Sequence, residues 1–219
     1  MVTLNLDEIV RAVEEAKKLA KPRKFKQSVD LVIVLRDVDL KRPENRLNIV
    51  VPLPHSIPGK ERKVCVIAHG DLAVKAREAG ADAVLTRDDV EKMAGNKKAV
   101  RKLAQTYDFF IAQRDLLPLI GRIMGPILGP RGKMPEPITP AVDLKAYIER
   151  LRRAVRIRVR DQPLVMCRVG TEDMDSRKIA ENIVAVFEAI EQKFKIPQNV
   201  ECAYVKLTMG PAVRMTPWK

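Results

Sequence analysis

Two short stretches near the chain ends carry side chains suited to a phosphate-rich partner. Lys24-Phe25-Lys26-Gln27-Ser28 sets two ammonium groups, a ring, an amide and a hydroxyl at the entrance to an apolar, strand-like run. Phosphates, bases and 2′-hydroxyls could all be met there. Lys206-Leu207-Thr208-Met209-Gly210 closes the last such run with a cation, a hydroxyl and a glycine that lets a ligand approach the main chain. The plain alternatives are a buried Phe25 beside solvated lysines and an ordinary strand end. Residue chemistry alone leaves both readings open.

A third stretch, Gly125 to Pro137, packs glycines, prolines and the cations Arg131 and Lys133 between two helix-like segments. It fails as a phosphate loop, because Ile127 stands where a glycine is required and Met134 where Ser or Thr is required. We expect it to be a rigid, non-regular connector. Val64–Ala68 is followed by the single glycine of His69-Gly70-Asp71, so the dinucleotide fingerprint is missing too.

Catalytic and metal chemistry find little support. His55-Ser56 are neighbours in a proline-rich segment rather than a nucleophile and its base, and Glu172-Asp173-Met174-Asp175 reads as an acidic helix cap. His55, His69, Cys65, Cys167 and Cys202 lack ligand spacing, so neither a metal, a cofactor nor a disulfide framework is expected. Reduced thiols fit a cytoplasmic location. No apolar run approaches the roughly 20 residues of a membrane span. With 41 Lys and Arg against 28 Asp and Glu, the formal charge of +13 favours a polyanion. The excess is spread along the chain and names no surface.

The elements that must position these residues follow from periodicity. An amphipathic helix capped by Asn5 runs to about Ala20, and β-branched strands follow at 28–35 and 47–51. From Lys63 short strands alternate with helices, the mark of a parallel sheet: strands at 64–68, 83–85 and 107–112, helices at 71–79, 88–93, 97–106, 116–124 and 143–153. After Ala154 come strands at 155–160 and 164–169, a long helix at 176–194 and a strand at 200–208. Neither end alone has enough strands to cover its helix. We therefore expect an α+β discontinuous domain, 1–62 with 155–219, holding a split β-α-β-like sheet with helices on one face. Into it is inserted an α/β, three-layer, Rossmann-like domain, 63–154. Few aromatics, at 4%, argue against a base-stacking sheet of the RRM kind.

Six segments run through the chain in a fixed order: Phe25-Lys26-Gln27-Ser28-Val29, Val51-Pro52-Leu53-Pro54, the long run from Gly121 to Pro135, Asp161-Gln162-Pro163, Gly170-Thr171-Glu172-Asp173-Met174 and Thr208-Met209-Gly210. Together they resemble the large-subunit ribosomal protein L-one family in its archaeal form. The resemblance implies a non-enzymatic protein whose discontinuous domain grips large-subunit rRNA at the mobile stalk near the tRNA exit site and assists release of deacylated tRNA. It also implies repression of translation through the protein's own mRNA. Its partners would be rRNA, that mRNA and exit-site tRNA, with no membrane and a monomeric free state. The RNA-facing group implied is Lys24, Phe25 and Ser28, then Met166, Arg168 and Gly170, then Thr208, Met209 and Gly210. Lys26, Gln27, Thr171 and Lys206 adjoin it, and Arg131 and Lys133 would be secondary RNA or tRNA contacts. Lys26 stands where the family usually has Thr, and Cys202 where it has a hydroxyl. The alternative is an α/β nucleotide-binding enzyme acting on a polyanionic substrate.

Overall fold

The computed structural model describes residues 4–139 and 142–218. Residues 1–3, 140–141 and 219 of the expected domain segments lie outside them. The chain divides into two compact units, Met1–Lys60 with Arg153–Lys219, and Glu61–Arg152.

In the first unit, α1 (Leu6–Leu19) begins where the Asn5 side chain accepts from the Glu8 N–H, satisfying one orphan donor of the first turn. Ile9, Ala12, Val13 and Ala16 form its buried stripe. β1 (Ser28–Leu35) is the inner strand of a four-stranded sheet, paired antiparallel with β8 (Leu164–Thr171) and β9 (Val200–Leu207). β10 (Ala212–Met215) adds to the free edge of β9. β2 (Leu47–Pro52) and β7 (Ala154–Val159) form a separate antiparallel pair. α8 (Ser176–Glu191) takes Asp175 as its N-cap and buries Ile179, Ile183, Val186, Phe187 and Ile190. Each such side chain contributes about 1.5–3 kcal/mol on burial. The helix stripes and the inward strand residues share one core, so both helices cover the same face of the sheet.

In the second unit, β3 (Val64–Ile67), β4 (Ala83–Leu85), β5 (Phe109–Gln113) and β6 (Glu136–Ile138) form a parallel sheet in the order β4-β3-β5-β6. Cys65, Ile67, Phe110 and Ala112 share a core with α3 (Arg87–Lys92), α4 (Lys97–Thr106), α5 (Leu117–Ile123) and α6 (Gly125–Leu128). α2 (Asp71–Glu78) and α7 (Leu144–Arg152) pack against β3 with their own buried stripes. Strand residues alternate between the two sets of helices, which makes three layers.

The Gly125–Pro137 stretch corrects the expectation of an irregular connector. It is helix α6, a turn and the start of edge strand β6. A Cβ on Gly129 would lie 2.9 Å from the Gly125 carbonyl oxygen, and Gly132 holds φ at 67°, where a side chain is strained. Pro137 is tolerated because β6 is an edge strand. Lys133 is turned inward: its ammonium donates to the carbonyls of Ala104 at 2.9 Å and Tyr107 at 2.7 Å, closing the end of α4. Among the predicted RNA and tRNA contacts it is therefore a helix-capping residue, whereas Arg131 is exposed.

Asn182 on α8 is fully buried. Its Oδ1 accepts from the His55 N–H at 2.9 Å, and its Nδ2 donates to the carbonyls of Val169 at 2.9 Å and His55 at 3.1 Å. Asn182→Leu keeps the volume and orphans those groups, so urea denaturation should show unfolding free energy reduced by about 1–3 kcal/mol. An unchanged midpoint would show that these bonds hold nothing.

Candidate nucleic-acid interface

The start of β1 and the ends of β8 and β9 meet at one end of the four-stranded sheet. Ser28 faces Thr171 in register, and Val29 faces Gly170 on one side and Leu207 on the other. The predicted segments around Phe25, Gly170 and Thr208 are thus brought together from distant parts of the chain.

Hydrogen bonds lock this meeting. Gln27 N–H donates to Glu172 Oε1 at 3.0 Å, and Glu172 N–H donates to the Gln27 carbonyl at 3.0 Å. Ser28 N–H donates to Thr208 Oγ1 at 3.1 Å, and Thr208 N–H returns to the Ser28 carbonyl at 3.0 Å. Gln27 is only 1% exposed; its Oε1 accepts from the Met209 N–H at 3.1 Å and its Nε2 donates to the Lys21 carbonyl at 3.2 Å. An amide so occupied positions the loop around it rather than meeting a ligand. Thr171 is likewise buried.

Around this stitched end the surface is apolar and cationic. Phe25 is 51% exposed and Met209 57% exposed, with exposed Lys24 and Thr208 beside them in sequence. The reading of Phe25 as a core residue is excluded. Lys26 pairs with Asp173 at 2.6 Å, with both side chains half-exposed. The Lys26 ammonium holds the Asp173 carboxyl below the usual carboxylate range. Part of the Lys26 charge is thereby answered within the protein.

Met166, Arg168 and Lys206 occupy a different part of the surface. Asp30 stands between Arg168 on β8 and Lys206 on β9, and Val32 between Met166 and Tyr204. Burial pushes the Asp30 carboxyl up, against the opposing pull of Arg168 and Lys206. These residues lie on the face opposite the helices, and Met166 is 56% exposed.

Gly170 does not share that face, although it lies two residues after Arg168. A β-bulge between Val29 and Asp30 inserts Val169 and reverses the alternation. A Cβ on Gly170 would lie 2.7 Å from Ile179 Cγ1, so packing against α8 accounts for this glycine. At Gly210 a Cβ would approach Ala20 Cβ at 3.2 Å and Leu207 Cβ at 3.3 Å. Neither glycine needs a ligand to explain it. Glu172, read from the sequence as part of an acidic helix cap, and Lys21, which the sequence did not single out, are partners of Gln27 through contacts that no spacing rule encodes.

The described residues contain no cluster of His, Cys, Asp and Glu able to hold a metal, and no helix long and apolar enough to cross a membrane. The pattern of the ribosomal protein L1p/L10e family matches residues 13–211, which include every predicted contact. The chain belongs to this family. It is 52% identical to large ribosomal subunit protein uL1 of Pyrobaculum arsenaticum, over 98% of this chain and 96% of that protein. It is 54% identical to the protein of that name from Thermofilum pendens, over 94% and 93%. For Archaeoglobus fulgidus the identity is 50%, over 95% and 97%. Membership in a ribosomal protein family overturns the alternative of a nucleotide-binding enzyme.

Gly170→Ala should lower the unfolding free energy by about 1–3 kcal/mol through overpacking against α8. Combining it with Ile179→Ala should cost less than the two separate losses together in a denaturation cycle. Strict additivity would mean that the close approach to Ile179 is not the cause.

Proposed function

We propose that this chain is a structural, non-enzymatic component of the large ribosomal subunit in the cytoplasm, and that its first unit holds large-subunit rRNA. The observation that carries the reading is the hydrogen-bonded sheet end, which presents Phe25 and Met209 to solvent beside Lys24 and Thr208. Large apolar side chains held out on a rigid frame and rimmed by polar groups are the make-up of an interaction site. The relatives' printed name and the charge of +13 support RNA as that partner. In this reading Lys24 meets phosphate, Phe25 and Met209 pack on sugar or base surfaces, and the exposed Thr208 offers a hydroxyl to a 2′-OH. Gln27, Thr171, Gly170 and Gly210 preserve the shape that these side chains need.

The finer parts of the proposal rest on the family resemblance. They are placement at the mobile stalk near the tRNA exit site, assistance to release of deacylated tRNA, and repression of the protein's own mRNA through a similar RNA shape. The exposed Arg131 of the second unit is the candidate for a secondary RNA or tRNA contact.

The purified protein should bind large-subunit rRNA, with log affinity falling by about 0.7–0.9 per log unit of salt for each phosphate contacted. Met209→Ala should weaken that binding without shifting the melting temperature. It is a cleaner probe than Thr208→Val, which also removes the acceptor of the Ser28 N–H. Failure of the intact protein to bind rRNA at low salt would overturn the proposal. Residues 1–60 joined to 153–219 by a short linker should keep most of the affinity; loss of binding by a folded protein of this kind would move the site into the second unit.

A further inference from the structure

In the second unit a groove of about 350 Å³ opens where the turn after α3 meets the start of α4 and the junction of α5 with α6. That volume is at the small end of the range for ligand sites, about 300–1,000 Å³. Met93, Ile123 and Ile127 are only half-buried against the unit's core, and each also lines the groove. Lys97 and Arg122, both exposed, stand among the lining residues, which include no carboxylate. The run from Gly121 to Pro135 supplies Arg122, Ile123, Pro126 and Ile127, to which the RNA-binding reading gives no role. Pro126 is in the first turn of α6, where its missing N–H costs nothing, and Ile123 and Ile127 face the same groove from either side of that junction.

The helix beside the groove is electrostatically at odds with itself. α4 holds Lys97, Lys98, Arg101 and Lys102, all exposed, and no acidic residue. Lys97 and Arg101 are four residues apart, as are Lys98 and Lys102, and like charges at that spacing repel. The two lysines of the first turn also meet the positive end of the helix macrodipole, a place that favours carboxylates. Among the described residues, none forms an ion pair with these four cations or with Arg122. Such an arrangement weakens the helix by itself and suits an anionic partner. An RNA backbone would answer the charges and leave the apolar groove empty. A protein segment with carboxylates flanking an apolar side chain answers both.

We propose that this groove docks an acidic, amphipathic helical segment of another protein. A large apolar side chain of the partner enters between Met93, Ile123 and Ile127, and carboxylates on either side of it meet Lys97 and Arg122. Rim charges of that kind steer association and set orientation, while the buried anchor supplies the affinity. Every lining residue belongs to the second unit, so the proposal stands apart from the rRNA site proposed on the first.

Fluorescence anisotropy of a labelled peptide with the full chain tests this. The probe is a helical peptide of about 15 residues, with leucines at i, i+3, i+4 and i+7 and glutamates elsewhere. One control carries the same residues in shuffled order, and another has lysine for glutamate. Only the ordered acidic peptide should bind, more weakly as salt rises. Ala94→Trp places an indole at an exposed lining position and should weaken binding about 30-fold, the loss expected when one anchor pocket is blocked. Lys97→Glu should weaken it about 5-fold and yet raise the melting temperature, because a carboxylate then stands at the positive end of α4. A lysine with only a structural part would not move the two readouts in opposite directions. Both variants should keep the parent's affinity for large-subunit rRNA. Equal binding of either control peptide, or no binding of the acidic one at low salt, would overturn the proposal. Parent peptide affinity in a folded Ala94→Trp protein would do the same. If polyuridine displaces the peptide, or rRNA affinity falls in these variants, the cations belong to an RNA site and the proposal falls.

Discussion

The Gln27 side-chain amide bonds to a backbone group 182 residues away, the Met209 N–H, while its other end holds the Lys21 carbonyl. Because the amide is buried, leaving either end unpaired costs about 1–3 kcal/mol, so the three segments gain most by closing together. That closure sets where β1 begins relative to the ends of β8 and β9. It therefore sets where Phe25, Thr208 and Met209 stand. Both chain ends are required for it, and neither can form the sheet end alone.

The same requirement shapes the topology. A unit made from both ends must let the chain leave and return at one place. β2 and β7 provide that place, because they are antiparallel neighbours and Pro52 pairs with Ala154 at their ends. The second unit is thus inserted between adjacent strands, and closing it spans no distance in the first. Within the insertion, the glycines and prolines of residues 125–137 shape a short helix, a turn and an edge strand, and the Lys133 ammonium ties that turn to the end of α4.

Much of this architecture was legible because it is written in periodicity. The stripe of α1, the apolar run of β1, the βα alternation after Lys63 and the stripe of α8 all lie where hydrophobic spacing places them. β6 and β10 were not visible, being three and four residues long and bordered by proline and glycine. The site was legible in its segments and obscure in its roles. Period two puts Met166, Arg168 and Gly170 on one face, but the bulge at Val169 turns Gly170 to the helix side, and a bulge leaves no mark in a single sequence. Gln27 and Lys133 read as surface polar residues because their partners lie far away in sequence or across a turn.

The electrostatics follow from the same geometry. An acidic side chain on a cationic face is partly desolvated, yet Asp30 has Arg168 and Lys206 on either side and remains a partner rather than a defect. Its carboxylate lies between the two cations in register and offsets their mutual repulsion. An apolar platform would discriminate bases through stacking alone, whereas a rigid row of cations discriminates the spacing of phosphates, which differs between folded RNA shapes. With aromatic residues at 4%, the protein has little material for the first strategy. In the proposed RNA-binding role, the pair of cations flanking Asp30 suits the second.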